Sequence, residues 1–301
     1  MRGNVIMPSF TASLAGFVLR TTGYYRRMFT GGPQFQQNII KVRAAPTPRP
    51  IAKGDVDVRQ SEFQGRNVWH LAPKDRAPTA HILFWHGGGY VYSATDIHWK
   101  FLSHMASQHG WSITAPLYPL APESSAEAIT AWASAYYAAY QADINGAPFV
   151  MGGDSAGGGL TAALAQMARD GGQTLPAGLL LICPWLDLDP AHPDQLKTEP
   201  RDGILTISGI AEGGSLYAGD LPLTDPRCSP IFGNWDGLPP ILAFAGGDDI
   251  LVTDSRALKA KVPSVDLTEL AGMMHDWPIF SFSESRKAQA AMAGFATRAV
   301  A

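Results

Sequence analysis

Across 301 residues the chain has only two cysteines, Cys183 and Cys228, and Asp, Glu, Lys and Arg together make up just 16 % of it. Two thiols so far apart build no disulfide framework; buried thiols are the simpler expectation and a Cys183–Cys228 bridge the weaker alternative. No Asn-x-Ser/Thr acceptor occurs. A run of about 18 apolar residues is also missing, so no membrane span is expected. The apolar opening is interrupted by Pro8, Ser9, Thr11 and Ser13 with no clear cleavage site after it, which points to a cytoplasmic protein. Net charge is −3 and no basic run appears, which argues against nucleic acid as a partner. The histidines form no His-Glu-x-x-His and no Cys/His cluster, so neither a metal nor another cofactor is expected. The glycine-rich stretch around residue 155 lacks the lysine of a phosphate-binding loop, since Gly157 is followed by Gly158 and Gly159. It also lacks the G-x-G-x-x-G spacing of a dinucleotide site.

What is present is ample apolar material, 46 % of the chain, enough for one large core without metal or disulfide support. Residues 1–45 read as helical and greasy. Phe10, Leu14, Phe17 and Val18, then Tyr24, Tyr25, Met28 and Phe29, recur at helical spacing, and a second short helix is expected over 34–42. The plain expectation is an amphipathic helix packed on the core; the sharper one is a lid over a site. Pro46, Pro48 and Pro50 mark a linker. From residue 55 the texture changes to strands alternating with helices. Strands are expected at 56–58 and 67–71, forming a hairpin, then at 80–85, 111–117, 148–151, 177–183, 241–245 and 265–270. Between and after them come helices near 99–108, 129–140, 160–168, 253–261 and 283–300. That alternation predicts an α/β fold with a mostly parallel central sheet and helices on both faces. Residues 186–237 are rich in Pro, Gly and Asp, with one helical patch near 207–217; so long an irregular insertion usually carries function.

Chemistry concentrates where strands end, which is where open α/β sheets bind ligands. Gly153-x-Ser155-x-Gly157 lies between a buried strand and a helix, the pattern of a serine presented on a sharp turn whose flanking positions cannot carry bulk. A serine hydroxyl needs an imidazole to take its proton, and that imidazole needs a carboxylate on its other nitrogen. His275 follows the last strand and has no other histidine near it. Asp248 and Asp249 are adjacent, and either could orient it; Asp254 reads as the cap of the following helix. In His86-Gly87-Gly88-Gly89 the backbone N–H groups of Gly87 and Gly88 could face a developing oxyanion. The N–H of Ala156 at the helix N-terminus would complete that hole. His86 itself reads as a support for its loop.

With these residues in order, the chain resembles the bacterial hormone-sensitive-lipase-like family of α/β-hydrolases. The resemblance rests on His86-Gly87-Gly88-Gly89-Tyr90, Tyr118-Pro119-Leu120-Ala121-Pro122-Glu123, Gly153-Asp154-Ser155-Ala156-Gly157-Gly158, Asp249-Ile250-Leu251 and His275-Asp276-Trp277. Pro119 stands where the family commonly has arginine, and Asp248-Asp249-Ile250-Leu251 replaces the commoner Asp-Pro-Leu. The resemblance implies Ser155 as nucleophile, Asp249 as acid and His275 as base, with Gly87, Gly88 and Ala156 as oxyanion donors. It implies an N-terminal helical cap over 1–45, and a hydrolase core over 46–301 with a cap insertion near 186–237. The activity it implies is hydrolysis of short- to medium-chain carboxylic esters by a serine esterase. A lactone, amide or carbamate, or a non-catalytic small-molecule-binding role, would be the alternatives. The expected partner is a small-molecule ester, and relatives of this kind often pair as homodimers.

Overall fold

The computed structural model describes residues 8–51, 54–190 and 192–301. Among these, eight strands form one sheet in the order β1-β2-β4-β3-β5-β6-β7-β8. β1 (Val56–Phe63) and β2 (Arg66–Pro73) are the antiparallel hairpin that the sequence predicts. Its two-residue turn, Gln64-Gly65, has positive φ at both positions (46° and 75°), which matches the twist of a tight hairpin. β2 runs antiparallel to β4 (Trp111–Pro116), and every later pairing is parallel, through β3 (Ala80–Trp85), β5 (Phe149–Asp154), β6 (Gly178–Ile182), β7 (Ile241–Gly246) and β8 (Asp266–Leu270). Every residue of β5, β6 and β7 is buried, as expected of near-continuous apolar strands covered on both faces.

The covering layers come from α4 (Asp96–His109), α5 (Ala126–Asp143), α6 (Ala156–Asp170), α9 (Val252–Lys261) and α10 (Ser283–Val300). Helix α4 packs with α10, and α5 with α6, around the sheet between them. The alternating pattern therefore gives the architecture read from the sequence. Both Cys183 and Cys228 are buried free thiols, so the weaker bridging alternative is not realised.

The remaining helices are α1 (Phe10–Thr22), α2 (Tyr24–Met28), α3 (Pro33–Arg43), α7 (Pro193–Thr198) and α8 (Ile207–Ala218). The N-terminal segment is tied to the 186–237 stretch by hydrogen bonds from Arg26 to the carbonyls of Glu199 (2.7 Å) and Asp202 (2.6 Å). The amide of Gly31 adds another to the Ser208 hydroxyl (3.2 Å). Gly209 makes the contact close: a Cβ there would lie 1.6 Å from the Phe29 carbonyl oxygen.

Helix α1 departs from the plain expectation. Its buried positions are Ala12 and Gly16, whereas Phe10, Leu14, Phe17 and Val18 point outward. The small face lets the helix backbone settle against the body of the protein; a Cβ on Gly16 would sit 3.8 Å from the Met274 Cε. The periodicity of the large residues is real, but the face they share is the one turned away from the core.

Candidate active site

The site starts from the junction of β5 and α6. Ser155 has φ 52° and ψ −121°, a conformation that a residue with a Cβ reaches only at a cost of about 1–3 kcal/mol. Its N–H donates to the Ile182 carbonyl at 2.8 Å, which holds the turn against the neighbouring strand. A Cβ on Gly153 would lie 2.4 Å from the Gly157 carbonyl, and one on Gly157 would lie 2.0 Å from the Trp85 carbonyl oxygen. Both glycines are therefore required by close backbone approach, as the pattern demands.

His275 lies beyond β8, buried behind Met273 and Met274. Its Nδ1 is 2.7 Å from Oδ2 of Asp249, a fully buried carboxylate whose Oδ1 accepts from the Leu251 amide at 2.8 Å. The adjacent Asp248 instead bonds to Arg201 (3.0 Å) and Arg20 (3.4 Å), so of the two candidate acids Asp249 is the one that meets the imidazole. Asp254 is not a helix cap. It lies inside the first turn of α9, and its Oδ2 accepts from the amides of Leu186 (2.7 Å) and Asp187 (3.0 Å), pinning the loop after β6. Burial pushes this carboxyl up to about 7, consistent with a group selected to hold a loop rather than to stay charged.

The other face of the imidazole was not legible in the sequence. Nε2 is hydrogen-bonded to Oδ2 of Asp276 at 3.1 Å rather than to the Ser155 hydroxyl. Asp276 reaches it because its own backbone is left-handed, with φ 54°. Burial works to lower the His275 pKa, but the carboxylates of Asp249 and Asp276 outweigh it and hold the pKa well above the usual histidine range. Burial in turn pushes Asp276 up to about 7, against the pull of His275.

The glycine run divides. The amide of Gly87 is directed to the carboxylate of Asp154, and a Cβ there would lie 2.2 Å from Asp154 Oδ2. Gly88 instead borders the large space in front of Ser155 and Gly89 a smaller one beside it, with positive φ of 116° and 62° and no backbone acceptor for their N–H groups. Ala156 opens α6, where a first-turn N–H has no acceptor within the helix. Gly88 and Gly89, rather than Gly87, are therefore the loop residues whose amides are left free beside Ser155. Spacing alone gave no signal for this, since three consecutive glycines look alike until their dihedrals are known. His86 has the supporting role expected of it: Nδ1 bonds to the Gly87 carbonyl (2.7 Å), and its ring stacks on Tyr118, whose hydroxyl donates to the His86 carbonyl (2.7 Å). Behind the loop, His98 Nε2 meets Asp154 Oδ2 at 3.0 Å, a buried pair that the sequence pattern did not announce.

In front of Ser155 lies a cavity of about 860 Å³ that Ser155, His275 and Asp276 share with Tyr24, Tyr25, Met28 and Phe29. A second space of about 10 Å³ also borders Ser155, lined by Phe29, Trp185, Ile210 and Gly213 among others. Among the described residues, Cys183, His275 and Asp276 place their ligand atoms within 4.8 Å of one another. Burial, reinforced by Asp249 and Asp276, pushes the Cys183 thiol well up.

A doubly covered parallel sheet with a strained serine, a histidine and an aspartate at its strand ends defines the α/β-hydrolase class. The profile of the alpha/beta hydrolase fold matches residues 82–279. An esterase of Acinetobacter venetianus is 31% identical over 233 residues, spanning 74% of this chain and 77% of that one. An acetyl-hydrolase of Streptomyces hygroscopicus is 31% identical over 65% of this chain and 67% of its own length. Among solved structures, an esterase from the bacterial hormone-sensitive lipase family superposes with a TM-score of 0.82 at 25% identity, covering 98% of this chain and all (100%) of the other. The chain belongs to the α/β-hydrolase fold family, in its hormone-sensitive-lipase-like branch. No helix among the described residues is long and apolar enough to cross a membrane.

Proposed function

We propose that the protein is a serine carboxylesterase in which Ser155 is the nucleophile, His275 the general base and Asp249 the group that orients it. The observation that carries this reading is the strained Ser155 on the wall of the same cavity as His275, whose far nitrogen is held by Asp249 at 2.7 Å. In the reaction, the Nε2 hydrogen bond to Asp276 gives way to one from the Ser155 hydroxyl. The serine oxygen attacks the ester carbonyl as its proton passes to Nε2. The oxyanion is met by the amides of Gly88, Gly89 and Ala156; one such donor typically contributes about 3–4 kcal/mol to the transition state. The imidazolium then returns the proton to the leaving alkoxide, which departs as the alcohol. Water repeats the sequence on the acyl-Ser155 and releases the acid.

The two spaces beside Ser155 support one assignment of the halves of the ester. The leaving alcohol must take its proton from His275, which lines the large cavity and not the small one. The acyl group therefore belongs on the small side, where about 10 Å³ admits little more than a methyl group. An acetyl ester of a bulky alcohol is the substrate these dimensions favour, in keeping with the acetyl-hydrolase among the relatives. We read residues 8–45 and 186–237 together as a cap, since both contribute to the walls of the two spaces.

The test is a series of p-nitrophenyl esters of increasing acyl length, assayed with wild type and Ser155→Ala. Loss of hydrolysis in the variant, with acetate the fastest substrate, is the expected outcome. Equal rates for the two proteins would end the serine mechanism, and a maximum at long chains would end the acyl assignment.

A further inference from the structure

The first 54 residues carry eight of the 23 Lys and Arg residues and none of the 26 Asp and Glu. In a chain of net charge −3, this leaves a basic end on an acidic body. The same stretch exposes apolar side chains out of proportion to its length. Of the eleven large hydrophobic residues exposed among the described residues, eight lie in it: Phe10, Leu14, Phe17, Val18, Tyr24, Ile40, Val42 and Ile51.

On α1 this exposure is organised. At 100° per residue, Phe10, Leu14, Phe17 and Val18 fall within one stripe about 100° wide, opposite the small buried face of Ala12 and Gly16. Phe10 is 80% exposed and Phe17, two turns further along the same face, 57%, large apolar exposure for a single helix face in water. Part of the basic charge is already used: Arg20 pairs with Asp248, and Arg43 with Glu123. Arg27, Lys41 and Arg49 have no carboxylate partner among the described residues, and Arg27 reaches only the Thr22 carbonyl. An outward apolar stripe with unpaired cations and no acidic residue in the segment is the composition of a helix that lies in a membrane interface.

We propose that the outward face of α1, with the basic residues of α2, α3 and the segment after them, docks the protein on an anionic lipid surface. Charge selects this occupant over a second copy of the chain, because two such faces would bring together cations of the same sign. The docked orientation also bears on the site. The segment that would meet the lipid supplies Tyr24, Tyr25, Met28, Val42 and Pro46 to the wall of the large cavity. An ester dissolved in the lipid would then enter from the surface on which the protein sits. Docking itself does not depend on the hydrolase reading, and its test does not require turnover.

The experiment is flotation of the full chain with vesicles of phosphatidylcholine alone and with phosphatidylglycerol at about one lipid in three. Wild type and Ser155→Ala are expected to float equally with the anionic vesicles, weakly with the neutral ones, and to be released near 1 M salt, where screening is complete within about 3 Å. The double variant Phe10→Ser/Phe17→Ser is expected to lose roughly tenfold or more in partitioning. Arg27→Glu/Lys41→Glu, which leaves the apolar stripe intact, should lose the preference for anionic lipid. Neither double variant alters a residue lining the cavity, so hydrolysis of water-soluble p-nitrophenyl acetate should match wild type. Failure of wild type to float with anionic vesicles, or unchanged flotation of both double variants, would overturn the proposal. So would a wild-type dimer that Phe10→Ser/Phe17→Ser converts to a monomer without lipid binding.

Discussion

The Asp276 carboxylate offers the sharpest test of how the imidazole is tuned. His275 can act as a base only while neutral, and two carboxylates oppose that state: Asp249 at 2.7 Å from Nδ1 and Asp276 at 3.1 Å from Nε2. Burial pulls the imidazole the other way, yet the net position is well above the usual histidine range. Activity should therefore fall as pH drops through this raised value, giving an acidic limb displaced to the alkaline side. Asp276→Asn keeps the shape and the acceptor at Nε2 while removing the charge. At 3.1 Å and an effective dielectric near 20, a full charge would interact with the imidazolium by about 5 kcal/mol. Because burial raises Asp276 itself to about 7, it is only partly ionised near neutrality, and the realised effect is smaller than that of a full charge. The limb of kcat/KM against pH should move to lower pH. Below it the variant should outrun wild type by up to about tenfold per unit of displacement. The assay is p-nitrophenyl acetate hydrolysis from about pH 5 to about pH 9, with the uncatalysed rate subtracted. A limb that stays in place, or moves up, refutes the tuning role. A uniform loss at every pH would instead make Asp276 a structural support of the loop.

Two further outcomes follow from packing and from linkage. Gly157→Ala would set a Cβ 2.0 Å from the Trp85 carbonyl oxygen, so it should cost more than about 4 kcal/mol in a urea melt. Gly213→Ala, whose nearest neighbour is 3.6 Å away, should fold normally and raise the acetate-to-butyrate rate ratio by narrowing the acyl side. Asp202 and Asp254 are both pushed up to about 7, chiefly by burial, so the folded state holds protons that the unfolded state has already lost above pH 4. The raised His275 has the same sign: its contribution is present at low pH and lost as pH rises through its folded value. Below the ordinary histidine range the burial-lowered His86 and His104, both at about 4, have the opposite sign, so the decline in thermal stability should show between about pH 7 and about pH 8, by roughly 2–4 °C per kcal/mol lost. A Tm that rises across that window in a differential scanning run would contradict these positions.

Strands such as β5, β6 and β7 were legible because burial on both faces demands a near-continuous run without charged residues in its interior. The serine turn was legible for a related reason: backbone crowding at Gly153 and Gly157 excludes every other residue, so the constraint is written in the sequence itself. What escaped were choices made by partners far along the chain. Periodicity groups Phe10, Leu14, Phe17 and Val18 on one side of α1 but carries no sign. Which side faces the core is decided by Met274 and its neighbours accepting the small face at Gly16. Three equal glycines likewise gave no reason to prefer Gly89 over Gly87 until Asp154 drew the Gly87 amide towards itself. Asp276 escaped for the same reason: as a residue beside a histidine it looks like loop, and only its left-handed backbone turns its carboxylate onto Nε2. Two of these three misses, Gly89 and Asp276, lie beside the reactive centre. The local sequence specifies that a serine will be presented, whereas tertiary contacts specify the carboxylates around the imidazole and which loop amides are left free beside the serine.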